Sequence, residues 1–141
     1  MTKAEAPREQ EPEEHLREAF AREAQAAVRC LYFARRADVE GRADVAALLR
    51  SVAEGQHSQA FGHLEFLEDG SDALAGGGDT AANLVSAADE AEANAVAYAG
   101  YADTARSAKH TDLADWFDAV ALAKRNHAGQ LRRLAAGSGA A

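Results

Sequence analysis

The stretch LADWFDAVALAKRNHAG, residues 113–129, decides the fold. Leu113, Trp116 or Phe117, and Val120, continued by Leu131 and Leu134, recur three or four residues apart or at multiples of that step, the spacing of one face of an α-helix. The same face carries Lys124 and His127. An unpaired polar group costs about 2–7 kcal/mol to bury on transfer scales, so a cation and an imidazole on an inner stripe demand partners or a purpose.

Working outward, the chain predicts three further helices. The first spans about 13–40, with Leu16, Phe20, Ala27, Cys30, Ala34 and Ala37 on one face and Glu23 among them. Gly41 is placed to end it in the left-handed region. The second spans about 42–69, with Val45, Leu49, Val52 and Phe66 on a stripe that also turns Gln56, Gln59 and His63 inward. His57 falls off that stripe and is expected on the surface. Residues 70–79 read as a loop, after which Asp79 or Thr80 caps a third helix reaching about residue 109. The third helix is so rich in alanine that its face is ambiguous: either Glu90 with Asn94, or Ala91 with Asn94 and Tyr98, points in. Tyr98 and Tyr101 are expected in the core, as is Cys30. The fourth helix runs over about 112–134. Residues 1–12 and 135–141 read as a flexible arm and tail.

Loop lengths suggest the topology. The turns near Gly41 and at residues 109–111 are tight, so each flanking pair of helices forms an antiparallel hairpin. The loop between the second and third helices, about ten residues, extends to roughly 33 Å. That approaches the length of these helices at about 1.5 Å per residue. The expectation is an all-α, ferritin-like four-helix bundle with one long crossover, residues 13–134 forming the domain.

Composition narrows the function. A net charge of −8 disfavours nucleic acid or an anionic membrane as partner. No apolar run approaches the roughly 20 residues of a membrane span, and no secretory leader is visible. With one cysteine, Cys30, an intramolecular disulfide and a four-cysteine iron site are both excluded, and a cytoplasmic location is expected.

Four segments carry a resemblance. FAREAQAAVRCLYFA (20–34), AALLRSVAEGQHSQAFGHLEFLE (46–68), TAANL (80–84) and LADWFDAVALAKRNHAG (113–129) resemble the four helices of the rubrerythrins, over about residues 15–134. The resemblance implies a homodimer and a di-iron centre at set positions. Glu23 matches the family's first-helix glutamate. Gln56 and Gln59 stand where the family has a Glu-x-x-His pair. On the third helix Glu90 matches one glutamate and Ala93 replaces the other, with Glu92 an alternative. Lys124 replaces the fourth-helix glutamate, His127 retains the histidine, and Cys30 replaces a tyrosine.

These replacements have a charge logic. Two iron ions are hard cations that want several carboxylates. Glu23, Glu90 and Lys124 instead sum to about −1, or zero with His127 protonated. The expectation is therefore an ion-pair cluster of Lys124 with Glu23 and Glu90, and no metal cofactor. Three functions remain open. In the first, Lys124, His127, Glu23 and Glu90 carry out metal-independent acid–base chemistry on a small molecule in the core, held by Gln56, Gln59, Asn94, Tyr98 and Cys30. In the second, Glu23, Glu90 and His127 hold a residual iron or manganese ion in an oxidase or peroxidase. In the third, the bundle is a non-catalytic, dimeric interaction module.

Overall fold

Alanine supplies much of the chain, and alanine has the best intrinsic helix propensity. The computed structural model describes residues 11–137. It contains α1 (Glu11–Val39), α2 (Ala43–Asp69), α3 (Thr80–Ser107) and α4 (Thr111–Gly137), with a short 3₁₀ helix at Ala73–Ala75. No strand occurs among the described residues. Helix α1 begins earlier than its sequence suggests, because Pro12 falls in the first turn, where its missing N–H costs nothing. Glu11, Glu13 and Glu14 complement the positive end of the helix there. The expected arm of residues 1–12 is shortened accordingly, and residues 1–10 lie outside the described residues. At the other end α4 continues through Gly137, so residues 135–137 are helix rather than tail. Residues 138–141 lie outside the described residues.

The chain divides into two compact units, one ending at Ala75 and one beginning at Gly76. The first unit is the α1–α2 hairpin. Its seam is built of alanines: Ala27, Ala34 and Ala37 meet Ala46, Ala53 and Ala60, and Leu67 closes the open end. Seven-residue steps along α2 keep a small side chain at each contact, which lets the backbones approach closely. Of the expected α2 stripe, Val45 and Leu49 pack against this core, whereas Val52, Gln59 and Phe66 fall one residue out of phase with the alanines and are exposed. A salt bridge from Asp72 to Arg17 ties the following loop to α1. Asp72 is buried; its Oδ2 accepts from Arg17 Nε at 2.8 Å and its Oδ1 from the Leu74 N–H at 2.9 Å. These bonds, the guanidinium first, hold the Asp72 carboxyl down at about 2.

The second unit is the α3–α4 hairpin, and it is built the same way. Ala88, Ala91, Ala95, Ala102 and Ala105 of α3 are buried, as are Ala114, Ala121, Ala128 and Ala135 of α4. Asp79 caps α3, its side chain accepting from the Ala82 N–H at 2.8 Å. Just before it, Gly76 has φ +91, and a Cβ there would collide with the Asn83 side chain, whose Oδ1 accepts from the Gly77 N–H at 2.7 Å. The residues 70–79 are thus a structured connection rather than a plain loop.

The two hairpins repeat one another at a constant offset. The Ala37 carbonyl accepts from the Arg42 N–H at 2.8 Å, and the Ala105 carbonyl accepts from the His110 N–H at 2.9 Å. Gly41 (φ +74) in the first turn corresponds to Lys109 (φ +63) in the second, each closing a helix in the left-handed region. Ala46, Ala53 and Ala60 correspond to Ala114, Ala121 and Ala128, and Leu67 to Ala135. Each turn is also pinned by a cross-helix salt bridge, Arg50 with Asp38 in one hairpin and Arg106 with Asp118 in the other. The polarity is reversed: the first unit has its acid before the turn, the second its base.

Candidate functional site

The site is best described from the α3–α4 hairpin. Arg132 of α4 pairs with Asp89 and with both oxygens of Glu92 on α3, Nε at 3.0 Å from Oε1 and an Nη at 2.9 Å from Oε2. This clamp sets the register of the two helices. Arg132 in turn holds the Glu92 carboxyl below the usual carboxylate range, mainly through its hydrogen bonds. Glu92 is thus an exposed ion-pair partner of Arg132.

Beside the clamp lies an open groove of about 460 Å³. Glu90, Asn94, Lys124 and His127 line it together, over a floor that includes Ala91 and Leu131. Four of the residues singled out in the sequence thus converge within one hairpin. Glu90 and His127 are exposed, Asn94 and Lys124 half-buried. No ion pair within 4 Å involves Lys124 among the described residues. Alanine occupies the contact line of the α3–α4 hairpin, and these longer side chains flank it. Gln130 and Leu134 complete the groove. Gln130 was not singled out, although its three-residue step from His127 was available to point to it.

Tyr98 lies elsewhere. Its ring packs 5.5 Å from Tyr101 and 6.0 Å from Phe117, centroid to centroid, in an aromatic cluster nearer the turn. Tyr101 is exposed, contrary to the expected core position. In the α1–α2 hairpin, Glu23, Cys30, Gln56 and His63 are half-buried, and Gln59 and His57 are exposed. Cys30 is thus less covered than expected. Gln56 presents a buried Oε1 without a hydrogen-bond partner among the described residues, an acceptor whose desolvation is uncompensated.

Four long helices in two antiparallel hairpins, with polar side chains flanking alanine seams, define an all-α protein of the ferritin-like class. Residues 14–135 match the rubrerythrin family, and the chain belongs to that family. No curated protein matches it. The family's di-iron centre asks for several carboxylates. Among the described residues no group of three or more His, Cys, Asp or Glu comes together that could hold a metal ion. The α3–α4 groove is lined by one carboxylate, Glu90, with the ammonium of Lys124 and the imidazole of His127; in the other unit, α2 carries the neutral amides of Gln56 and Gln59. The groove's own donors, with a single carboxylate and an ammonium among them, do not by themselves suit two hard divalent or trivalent cations.

Proposed function

We propose that this rubrerythrin-family chain has given up the di-iron centre and binds a small organic molecule through a metal-independent polar site. The observation that carries the reading is the presence of Lys124 in one groove with Glu90 and His127. A lysine beside two would-be ligands repels a metal ion, yet it supplies a mobile cation to an organic one. The groove is of the size of ordinary small-molecule sites, about 300–1,000 Å³. Its lining mixes apolar surface with a few polar groups, as such sites do. In this reading Lys124 and His127 bind the molecule and exchange protons with it, Asn94 orients it by hydrogen bonds, and Glu90 balances the charge.

Metal analysis of the purified protein, with its absorption spectrum before and after iron is added, tests the loss of the centre. The expected result is metal far below one ion per chain and no new absorption band. Stoichiometric, tightly held iron or manganese would instead establish a residual metalloprotein and refute the proposal.

A further inference from the structure

The groove between α3 and α4 holds two opposite charges that do not meet. Glu90 is its carboxylate and Lys124 its ammonium, and no ion pair within 4 Å involves either among the described residues. The register of the hairpin explains the gap. Arg132 reaches both Asp89 and Glu92, so Glu90 lies level with Arg132, alongside Leu131 and Leu134. Lys124 stands eight residues nearer the turn on α4, roughly 12 Å away at about 1.5 Å per residue. Asn94 and His127 lie between the two charges, Asn94 one turn from Glu90 and His127 one turn from Lys124.

Neither charge is neutralised by its surroundings. Asp89 and Glu92 share the single guanidinium of Arg132, so the clamp level with Glu90 stays net negative and offers it no counter-charge. Lys124 is half-buried, and the neighbouring cations of α4, Arg125 and Arg133, do not line the groove. A charge that lacks a partner in a groove gains from an incoming counter-charge, and this groove presents one charge of each sign. Its lining also offers the carboxamides of Asn94 and Gln130, each both donor and acceptor. We infer that the groove takes an extended zwitterion. Its ammonium meets Glu90, its carboxylate meets Lys124 and His127, and amide groups between them meet Asn94 and Gln130. Three residues of extended peptide span roughly 10 Å, at about 3.3–3.6 Å each, so a short peptide with both termini free has the length and the chemistry required. This assignment rests on the small-molecule reading above and specifies the chemistry of that same groove.

Four probes test it: trialanine, its N-acetyl form without the ammonium, its C-terminal amide without the carboxylate, and free alanine, which has both charges but not the length. Each is titrated into the full-length protein at low salt, with binding followed by calorimetry and by amide chemical shifts of α3 and α4. Trialanine should bind about fivefold or more tighter than each of the other three. Glu90→Gln should bring trialanine down to the level of its N-acetyl form and leave that form unchanged. Lys124→Met should bring it down to the level of the amide and leave the amide unchanged. Unchanged helical content and melting temperature in both variants exclude misfolding as the cause. Equal affinity for the four probes, or a trialanine affinity indifferent to both variants, overturns the zwitterion while leaving a small-molecule groove in place. Failure of all four to bind also overturns the inference, and the metal analysis above decides the proposed loss of the iron centre separately.

Discussion

Replacing Ala121 by leucine should unzip the alanine seam between α3 and α4. Ala121 is 1% exposed and sits midway along α4, with Ala114 and Ala128 one seven-residue step to either side. Leucine adds three carbon atoms where no space exists. Its extra apolar surface is worth about 0.8 kcal/mol per buried methylene, but only if it is buried. Here it must first part α3 from α4, and contact is then lost at the neighbouring alanines too. Overpacking of this kind costs about 1–3 kcal/mol. The structure provides its own control. Leu67 occupies the corresponding seam position at the open end of the first hairpin and is likewise 1% exposed. Its counterpart in the second hairpin is Ala135, so Ala135→Leu copies a substitution the fold already contains. Thermal unfolding followed at 222 nm should show a clear loss for Ala121→Leu, at about 2–4 °C per kcal/mol for a chain near this size. Ala135→Leu should stay within about 0.5 kcal/mol of the parent. Ala53→Leu, the counterpart of Ala121→Leu in the first hairpin, should match it. Equal melting temperatures for Ala121→Leu and Ala135→Leu would refute the close-packed seam.

Acid should loosen the loop before α3 in a defined window. The folded-state pKa of Asp72 lies near 2, below the unfolded value of 3.8, so its contribution is complete above that value and is lost as pH falls from about 4 towards about 2. Glu13, raised above its usual range chiefly by its hydrogen bond with Asp72, takes up a proton earlier in the same descent. Amide exchange at Ser71 to Leu74 should rise through that window, and Asp72→Asn should show fast exchange already at neutral pH. The turn pins are testable by charge reversal. Asp38→Arg or Arg50→Asp alone should destabilise slightly, and the double variant should recover the loss, with a coupling of about 0.2–1 kcal/mol for so exposed a pair. Additive losses in the double variant would show that Asp38 and Arg50 do not act as a pair.

Much of the helix layout was legible in the residues. Gly41 marked one turn because only a residue without Cβ enters the left-handed region freely, and Asp79 marked a helix start by its side-chain acceptor. The phase of the helices was legible in part: Ala27, Ala34 and Ala37 lie on the α1 seam as read, and Val45 and Leu49 pack against it. A stripe drawn through Val52, Gln59 and Phe66 follows the large residues, whereas the hairpin seam follows Ala46, Ala53 and Ala60. In an alanine-rich chain hydrophobicity gives little weight to the side chains that permit the closest approach. In the site, Lys124, Glu90 and His127 flank the α3–α4 seam and line one groove. Their convergence was still visible, since it depends on which turn each residue occupies and not on its depth. The repeat between the halves escaped notice because Gly41 answers to Lys109, and Asp38 to Arg106.

That reversal of charge has a consequence for how the chain finds its partners while folding. The two hairpins share one turn geometry and one small-residue seam, so each helix meets two surfaces of nearly equal fit. Were α1 to close on α4 in the native register, Asp38 would come to face Asp118. Were α3 to close on α2, Arg106 would face Arg50. Both of these exchanged hairpins set like charges at the turn, and each native hairpin sets opposite charges. The seam is indifferent to identity, and four surface residues discriminate between the two halves of a chain that otherwise resembles itself.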